Sequence, residues 1–222
     1  MTELLYLDHA ATSWPKPLEV GEAMLNALNL SGANAGRGNH ALAIGAGRVL
    51  VRARISLAEL FAIPNAQDIA FTHNTTVALN MAIKGLLQKG DHVISTMTEH
   101  NSVRRPLEYL RRTMGVEVDY LRVDKEGKLD LQELQDAFKA NTKMVICSHS
   151  SNLLGSILPI GEMGAIAKSH GAIFLVDAAQ SAGSLDINVG DMNIDLLAFP
   201  GHKGLLGPQG TGGLYISPLV DL

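Results

Sequence analysis

The 222-residue chain has little cysteine, few aromatic residues and no strong charge of either sign. Its only cysteine, Cys147, cannot build a disulfide framework or a Cys-rich zinc site within one chain. The net charge is -4 and the basic residues are scattered, which is unlike a nucleic-acid-binding surface. The sequence opens without a signal-peptide pattern, and no apolar run approaches the ~18 residues of a membrane helix. We therefore expect a soluble, cytoplasmic protein with neither nucleic-acid nor membrane partners.

Three short patterns that could indicate a metal or nucleotide site are incomplete. The eight histidines include neither an HExxH motif nor a Cys-His cluster, so we predict no metal. Residues 36–41, GRGNHA, fit a dinucleotide-binding pattern, but they follow a polar loop and not an apolar strand. Residues 201–207, GHKGLLG, lack the Ser or Thr that follows the lysine of a P-loop. These departures argue against both kinds of nucleotide site.

The chain is rich in apolar residues, at 46%, and their spacing predicts an α/β fold. Residues 17–30 and 41–61 have the three-to-four spacing of amphipathic helices. After Pro64, short apolar runs alternate with helical stretches, which is typical of a mostly parallel sheet covered by helices. The predicted strands are DIAFT, HVIST, VEVDYL, KMVICSHS, AIFLVDA, DLLAF and GGLYIS, and the later helices span about 76–88, 101–113, 130–140 and 161–170.

Polar residues follow five of the predicted strands. Because ligands of open α/β sheets bind beyond the carboxyl ends of the strands, these residues are the first candidates for a site. Taken singly, several of them could cap a helix or form a turn. Together, a lysine, an acid, two amides, a histidine and a hydroxyl pair are what a phosphorylated aromatic cofactor requires. The candidates are Thr75, Thr76, His100, Asn152, Asp177, Gln180 and Lys203.

Six segments, in this order, resemble the class V aminotransferases, which depend on pyridoxal 5'-phosphate (PLP), and especially the cysteine desulfurase and selenocysteine lyase group. The resemblance implies the large domain of a fold type I PLP enzyme, with a mostly parallel seven-stranded sheet sandwiched by helices. We expect residues 1–222 to form this domain, with residues 1–40 as an N-terminal arm and helix. The segments are LYLDHAATSWPKP, FTHNTTVALN, TEHNSVRRPL, SHSSNLLGSILPI, LVDAAQSAG and FPGHKGLLGPQGTGGLYI.

The resemblance also implies a role for the residues around the cofactor ring. Lys203, in PGHK, matches the lysine that holds PLP as a Schiff base, and burial would help its amine to lose a proton. Asp177 matches the acid that pairs with the pyridine nitrogen. Gln180 and Asn152 match hydrogen-bond partners of the phenolic oxygen, while His100 matches the histidine that stacks on the ring and shuttles protons.

Three further residues resemble the family's phosphate contacts. Thr75 and Thr76 match the pair that holds the phosphate at the start of a helix. His202 resembles another contact, but Pro200 stands where the family often has a serine, so one hydroxyl donor is missing. Cys147 lies within an apolar strand and is expected to be a buried, inert thiol, not a sulfur carrier.

The function implied is removal of sulfur from cysteine, with Lys203 or His100 moving protons. The alternatives are a selenocysteine lyase, a class V aminotransferase, or a noncatalytic fold or assembly module that binds PLP weakly or not at all. In the family a smaller C-terminal domain supplies the substrate-binding arginine and the desulfurase cysteine. We expect that domain to be absent here and the chain to be truncated. A homodimer and a sulfur-acceptor protein are the further partners implied.

Overall fold

The computed structural model describes residues 5–222. Within that range the chain forms six α-helices, one short 3-10 helix and seven strands. The helices are α1 (Leu18–Leu30), α2 (Ala41–Phe61), α3 (Thr75–Leu86), α4 (Asn101–Met114), α5 (Leu131–Asp136) and α6 (Ile160–Ser169). The strands are β1 (Ile69–Thr72), β2 (His92–Thr96), β3 (Glu117–Leu121), β4 (Thr142–Ser148), β5 (Ile173–Asp177), β6 (Leu196–Pro200) and β7 (Gly212–Ile216).

All seven predicted strands lie in one sheet within the described residues, in the order β1-β7-β6-β5-β4-β2-β3. The ladders joining β3, β2, β4, β5 and β6 are parallel, and β7 runs antiparallel to both of its neighbours. The expected mostly parallel sheet is thus confirmed. From β2 the chain first moves outward to β3 and then returns to β4 on the other side. The strand order therefore reverses between β2 and β4, which is where such sheets bind ligands.

The two faces of the sheet are buried under different helices, because side chains alternate along each strand. On β4, Val145 and Cys147 join the core cluster that includes side chains of α2, α5 and α6. Met144 and Ile146 join the cluster formed with α3 and α4. The sheet is therefore sandwiched by helices, as expected. Burial also raises the pKa of the Cys147 thiol well above its ordinary value, which fits an inert core residue.

One predicted helix is shorter in the structure, and another has no buried residue. The pattern predicted a helix over residues 130–140, but α5 ends at Asp136. The Lys139 N–H donates to Thr142 Oγ1 at 2.8 Å, which turns the chain into β4. Helix α1 has no buried residue along Leu18–Leu30. None of the helices in residues 5–222 combines the length and apolar character needed to cross a membrane.

Candidate cofactor site

A cavity at the carboxyl ends of the strands brings together all eight residues singled out from the sequence. Its volume is about 140 Å³. Pockets that enclose a small ligand usually measure roughly 300–1,000 Å³, so this cavity could surround only part of one. The predicted residues that line it are Thr75, Thr76, His100, Asn152, Asp177, Gln180, His202 and Lys203.

Asp177 is the last residue of β5 and the cavity's buried acid, with only 2% of its surface exposed. Its Oδ1 accepts a hydrogen bond from the Ala179 N–H at 2.9 Å. Among residues 5–222, no donor is hydrogen-bonded to Oδ2. Burial raises the carboxyl pKa to about 6, although the Ala179 hydrogen bond and the Lys203 charge act to lower it. The residue thus has one carboxyl oxygen available to a ligand.

Lys203 lies in the loop between β6 and β7 and is the cavity's partly buried amine. Desolvation by burial lowers its pKa, while the negative charge of Asp177 acts in the opposite direction. Each residue therefore lies within electrostatic reach of the other. Within the described part of the chain, the Lys203 amine forms no ion pair at 4.0 Å or less. An amine that loses its proton easily and is not engaged can act as a nucleophile.

His100 contributes an imidazole whose two nitrogens have different surroundings. It caps α4, where its Nδ1 accepts from the Ser102 N–H at 3.1 Å and lies 2.8 Å from the Ser102 Oγ. Desolvation lowers the His100 pKa, and the charges of Lys203 and Arg105 lower it further. The ring is therefore neutral at pH 7. Since Nδ1 is an acceptor, Nε2 is the nitrogen that carries the proton.

Thr75 and Thr76 form the first turn of α3, where backbone N–H groups lack helical partners. Asn74 caps the helix by accepting the Val77 N–H at 2.9 Å through its Oδ1. For the described residues, no hydrogen bond engages the N–H groups of Thr75 and Thr76. Free N–H groups at the start of a 12-residue helix favour an anion such as phosphate.

An N-terminal strap, residues 10–16, holds two of the predicted residues in place. The His202 carbonyl accepts hydrogen bonds from Ser13 Oγ at 3.1 Å and from Lys16 Nζ at 2.7 Å. The Gln180 side-chain nitrogen donates to the Ala10 carbonyl at 3.0 Å. The segment LYLDHAATSWPKP carries part of the family resemblance, but nothing in it predicts these contacts. Since one N–H of Gln180 is already engaged, its other amide atoms are those left for a ligand.

The remaining lining residues bear on whether the cavity suits PLP. Asn152 lies on the exposed loop after β4. Pro200 lines the cavity, as its position predicted, while Ser148 and Ser150 add hydroxyls that sequence reasoning did not single out. Free N–H groups for a phosphate, an open carboxylate oxygen for a ring nitrogen and a partly buried amine for an aldehyde match the three ends of PLP. The residues present therefore fit the cofactor.

The comparisons with known proteins give the family of this chain. The model of the aminotransferase class-V family matches residues 5–221, and the chain belongs to that family. Class V aminotransferases and cysteine desulfurases are PLP-dependent. The resemblance drawn from the six segments is thereby confirmed at the level of the family.

Relatives and solved structures point to one group within the family. The chain is 42% identical to a "Probable cysteine desulfurase" of Methanothermobacter thermautotrophicus, over 98% of this chain and 54% of that protein. It is 37% identical to the cysteine desulfurase IscS of Buchnera aphidicola subsp. Schizaphis graminum, over 97% of this chain and 54% of that protein. An apo cysteine desulfurase from Thermococcus onnurineus superimposes with a TM-score of 0.91 at 39% identity, covering 97% of this chain and 54% of that one. The chain thus spans about half the length of the curated relatives that it matches.

Proposed function

We propose that this chain is the PLP-binding part of a cysteine desulfurase, with Lys203 as the residue that holds the cofactor. The proposal rests mainly on one observation: the Lys203 amine and the open Asp177 oxygen line the same cavity, within electrostatic reach of each other. The similarity to proteins named cysteine desulfurase supports the substrate class.

Each side chain would hold a different end of the cofactor. Lys203 would bind the aldehyde covalently, Asp177 would keep the ring nitrogen protonated, and Thr75 with Thr76 would bind the phosphate through their free N–H groups. When bound, PLP supplies an electron sink for the amino acid that reacts. The Asp177 carboxylate supports that chemistry because a protonated ring nitrogen withdraws electrons more strongly.

His100 and Lys203 would have complementary roles in proton transfer: His100 would donate a proton, and Lys203 would accept one. The His100 ring is neutral, with a proton on Nε2 that it can donate and recover. The lowered pKa of Lys203 lets its amine accept a proton once it is released from the cofactor. Asn152 and Gln180 would orient the ring through its phenolic oxygen, and His202 would contact the phosphate side. As Pro200 offers no hydroxyl, the threonine N–H groups would bear more of the phosphate binding.

The substrate, the oligomeric state, the cellular compartment and the sulfur acceptor are inferred from the similarity to cysteine desulfurases. We infer that the substrate is cysteine, that the chain works as a homodimer in the cytoplasm, and that a protein acceptor takes the sulfur. Selenocysteine lysis and aminotransfer are the neighbouring activities to measure alongside. The division of residues 1–222 into a large domain with an N-terminal arm and helix over residues 1–40 is part of the same proposal.

Mixing the purified chain with PLP tests directly whether the cavity binds the cofactor. We expect wild type to develop the yellow absorbance of lysine-bound PLP and, after borohydride, to carry a covalent adduct that peptide mass spectrometry assigns to Lys203. Lys203→Ala should lose both signals. The matched control is Lys125→Ala, which removes an exposed lysine in a turn. It should behave like wild type.

The products and the adduct distinguish desulfurase activity from aminotransfer and from a noncatalytic module. Sulfide and alanine formed from cysteine would support desulfurase activity of this chain, whereas a keto acid product would support aminotransfer. An adduct without turnover would support only the part of the proposal that concerns PLP binding. A folded wild-type chain that takes up no PLP would contradict the proposal and support a noncatalytic module, and an adduct that persists in Lys203→Ala would place the covalent bond elsewhere.

A further inference from the structure

Glu99, the residue before His100, is a carboxyl buried behind the cavity wall. Its exposed fraction is 7%. The Thr96 hydroxyl donates to its Oε1 at 2.6 Å, and the Ser148 N–H donates to the same oxygen at 3.0 Å. The Ser148 hydroxyl donates to its Oε2 at 3.0 Å. Three donors therefore converge on one carboxyl that the proposed mechanism does not use.

These hydrogen bonds join two strand ends that backbone pairing leaves apart. The ladder between β2 and β4 has its last pair at Ile94 and Val145, while β4 continues to Ser148. Ser148 is in turn the register partner of Asp177 on β5. Glu99 thus connects the loop that carries His100 to the strand beside Asp177, at the point where the strand order reverses.

Titratable groups on three strands interact with Glu99. Asp177 on β5 acts on it as a like charge, and Glu99 in turn acts on Tyr120 of β3 and Cys147 of β4. Burial raises the Glu99 pKa to about 7, the hydrogen bonds of Thr96 and Ser148 lower it, and the Asp177 charge raises it. Burial raises the pKa of Asp177 as well, so both of these buried carboxyls keep their protons to a higher pH than in water.

We propose that Glu99 is a positioning residue of the cofactor site, which fixes the strand ends bearing His100 and Asp177 and places a second negative charge behind Asp177. The proposal rests on the proposed function, and it adds a residue that lies outside the cavity lining. Through Asp177, that charge favours the protonated form of a bound cofactor ring. A tie between strands alone would not need a carboxylate, because an amide could accept from Thr96 and the Ser148 N–H through its oxygen and donate to the Ser148 hydroxyl, without the desolvation of a charge.

The pH dependence of the absorbance of lysine-bound PLP distinguishes charge from mere packing. Glu99→Gln keeps the size of the side chain and an oxygen that can accept from Thr96 and the Ser148 N–H. With the negative charge removed, the protonated cofactor is less favoured, so the midpoint of the absorbance titration should fall by roughly half a unit to one unit. The matched control is Glu108→Gln on α4, whose carboxyl pairs with Arg111 at 2.8 Å. Its midpoint should equal that of wild type.

A second measurement needs no cofactor. Carbon-13 titration of the Glu99 carboxyl in the PLP-free chain should give a lower midpoint in Asp177→Asn than in wild type, because the like charge is gone. If Glu99→Gln fails to fold, Thr96→Val replaces it, with Thr96→Ser as its control. Loss of the Thr96 hydroxyl makes Glu99 easier to protonate, so the absorbance midpoint should again fall.

The outcomes test the proposed function, the role of the Glu99 charge and the interaction of Glu99 with Asp177 separately. Wild type without the lysine-bound absorbance contradicts the proposed function, while the carbon-13 titration still tests the link between the two carboxyls. A wild-type absorbance whose midpoint is the same in Glu99→Gln overturns the role of the Glu99 charge alone. An unchanged Glu99 midpoint in Asp177→Asn overturns the coupling itself.

Discussion

The two ends of the sheet hold their charged side chains in opposite ways. At the amino ends of β2, β3 and β4, the charged and polar side chains pair with one another. Lys139 Nζ lies 3.0 Å from Asp119 Oδ2, and the His92 Nδ1 lies 2.8 Å from the Thr142 Oγ1. The His92 Nε2 is 3.1 Å from Asp119, an ion-pair distance outside hydrogen-bond geometry. At the carboxyl ends, Asp177 keeps an oxygen without a hydrogen bond from residues 5–222.

Two aspartates show the consequence for pKa. Burial would raise the pKa of Asp119, but Lys139 and His92 outweigh it, so the pKa of that carboxyl is lowered. The pKa of Asp177 is instead raised to about 6, chiefly by burial. A carboxyl that stabilises the fold has found its partners within the chain, whereas one that is buried with an open oxygen is prepared for a ligand. The comparison thus separates stabilising charge from functional charge.

The largest expected effect comes from Asp177→Asn. A carboxyl with a raised folded-state pKa stabilises the fold fully below pH 3.8, and that contribution is lost as pH rises through about 6. Removing the charge should therefore make the PLP-free chain more stable at pH 8, by roughly 1–2 kcal/mol, and leave it unchanged near pH 4. PLP affinity should fall by roughly 10²-fold, because the ring nitrogen loses its partner.

The matched control for Asp177→Asn is Asp119→Asn, which should have the opposite effect on stability. Its pKa is lowered in the folded chain, so loss of the charge removes a favourable pairing and should cost up to about 1 kcal/mol at pH 8. Its PLP affinity should match wild type. Urea denaturation and PLP titration measure both quantities. Equal stability changes in the two variants would contradict the distinction between the two ends.

Much of the fold followed from local pattern. Most predicted strands are short apolar runs, and along β4 neighbouring side chains enter opposite cores, so the local sequence carries enough information to locate a strand. The cavity residues could be found because parallel strands bring their carboxyl ends to one edge. Thr75 and Lys203 are distant in sequence yet share the cavity for that reason.

The contacts that sequence reasoning missed all depend on distant partners. Ser13 reaches the His202 carbonyl across 189 residues, and nothing local to either segment indicates that contact. Glu99 stood beside the predicted His100, but its significance depends on Ser148 of another strand. Long-range hydrogen bonds, rather than periodicity, decided each of these features.

The second test addresses the stabilising end, through Thr142→Val. The Thr142 Oγ1 lies 2.8 Å from the buried His92 Nδ1 and accepts the Lys139 N–H at 2.8 Å. Valine keeps the shape but leaves both groups without this partner, so the free energy of unfolding should fall by roughly 1–2 kcal/mol. Thr142→Ser retains the hydroxyl and should lose much less. A changed absorbance of bound PLP in Thr142→Val would contradict the separation of the two ends.

The smallest expected effect comes from Lys139→Met, since Lys139 is 42% exposed and its pairs with Asp119 and Glu117 are open to solvent. The free energy of unfolding at pH 8 should fall by less than about 1 kcal/mol, and the difference should shrink in roughly 1 M salt.

Burial, followed by the Lys139 charge, lowers the pKa of His92. A His with a lowered folded-state pKa contributes stability above pH 6.5 that is lost as pH falls through the folded value. Without Lys139 the His92 pKa rises, so less stability is lost on acidification and the deficit of Lys139→Met should narrow between pH 7 and pH 5. Urea denaturation across that range measures it, and a deficit that widens towards pH 5 would show that Lys139 does not act on His92.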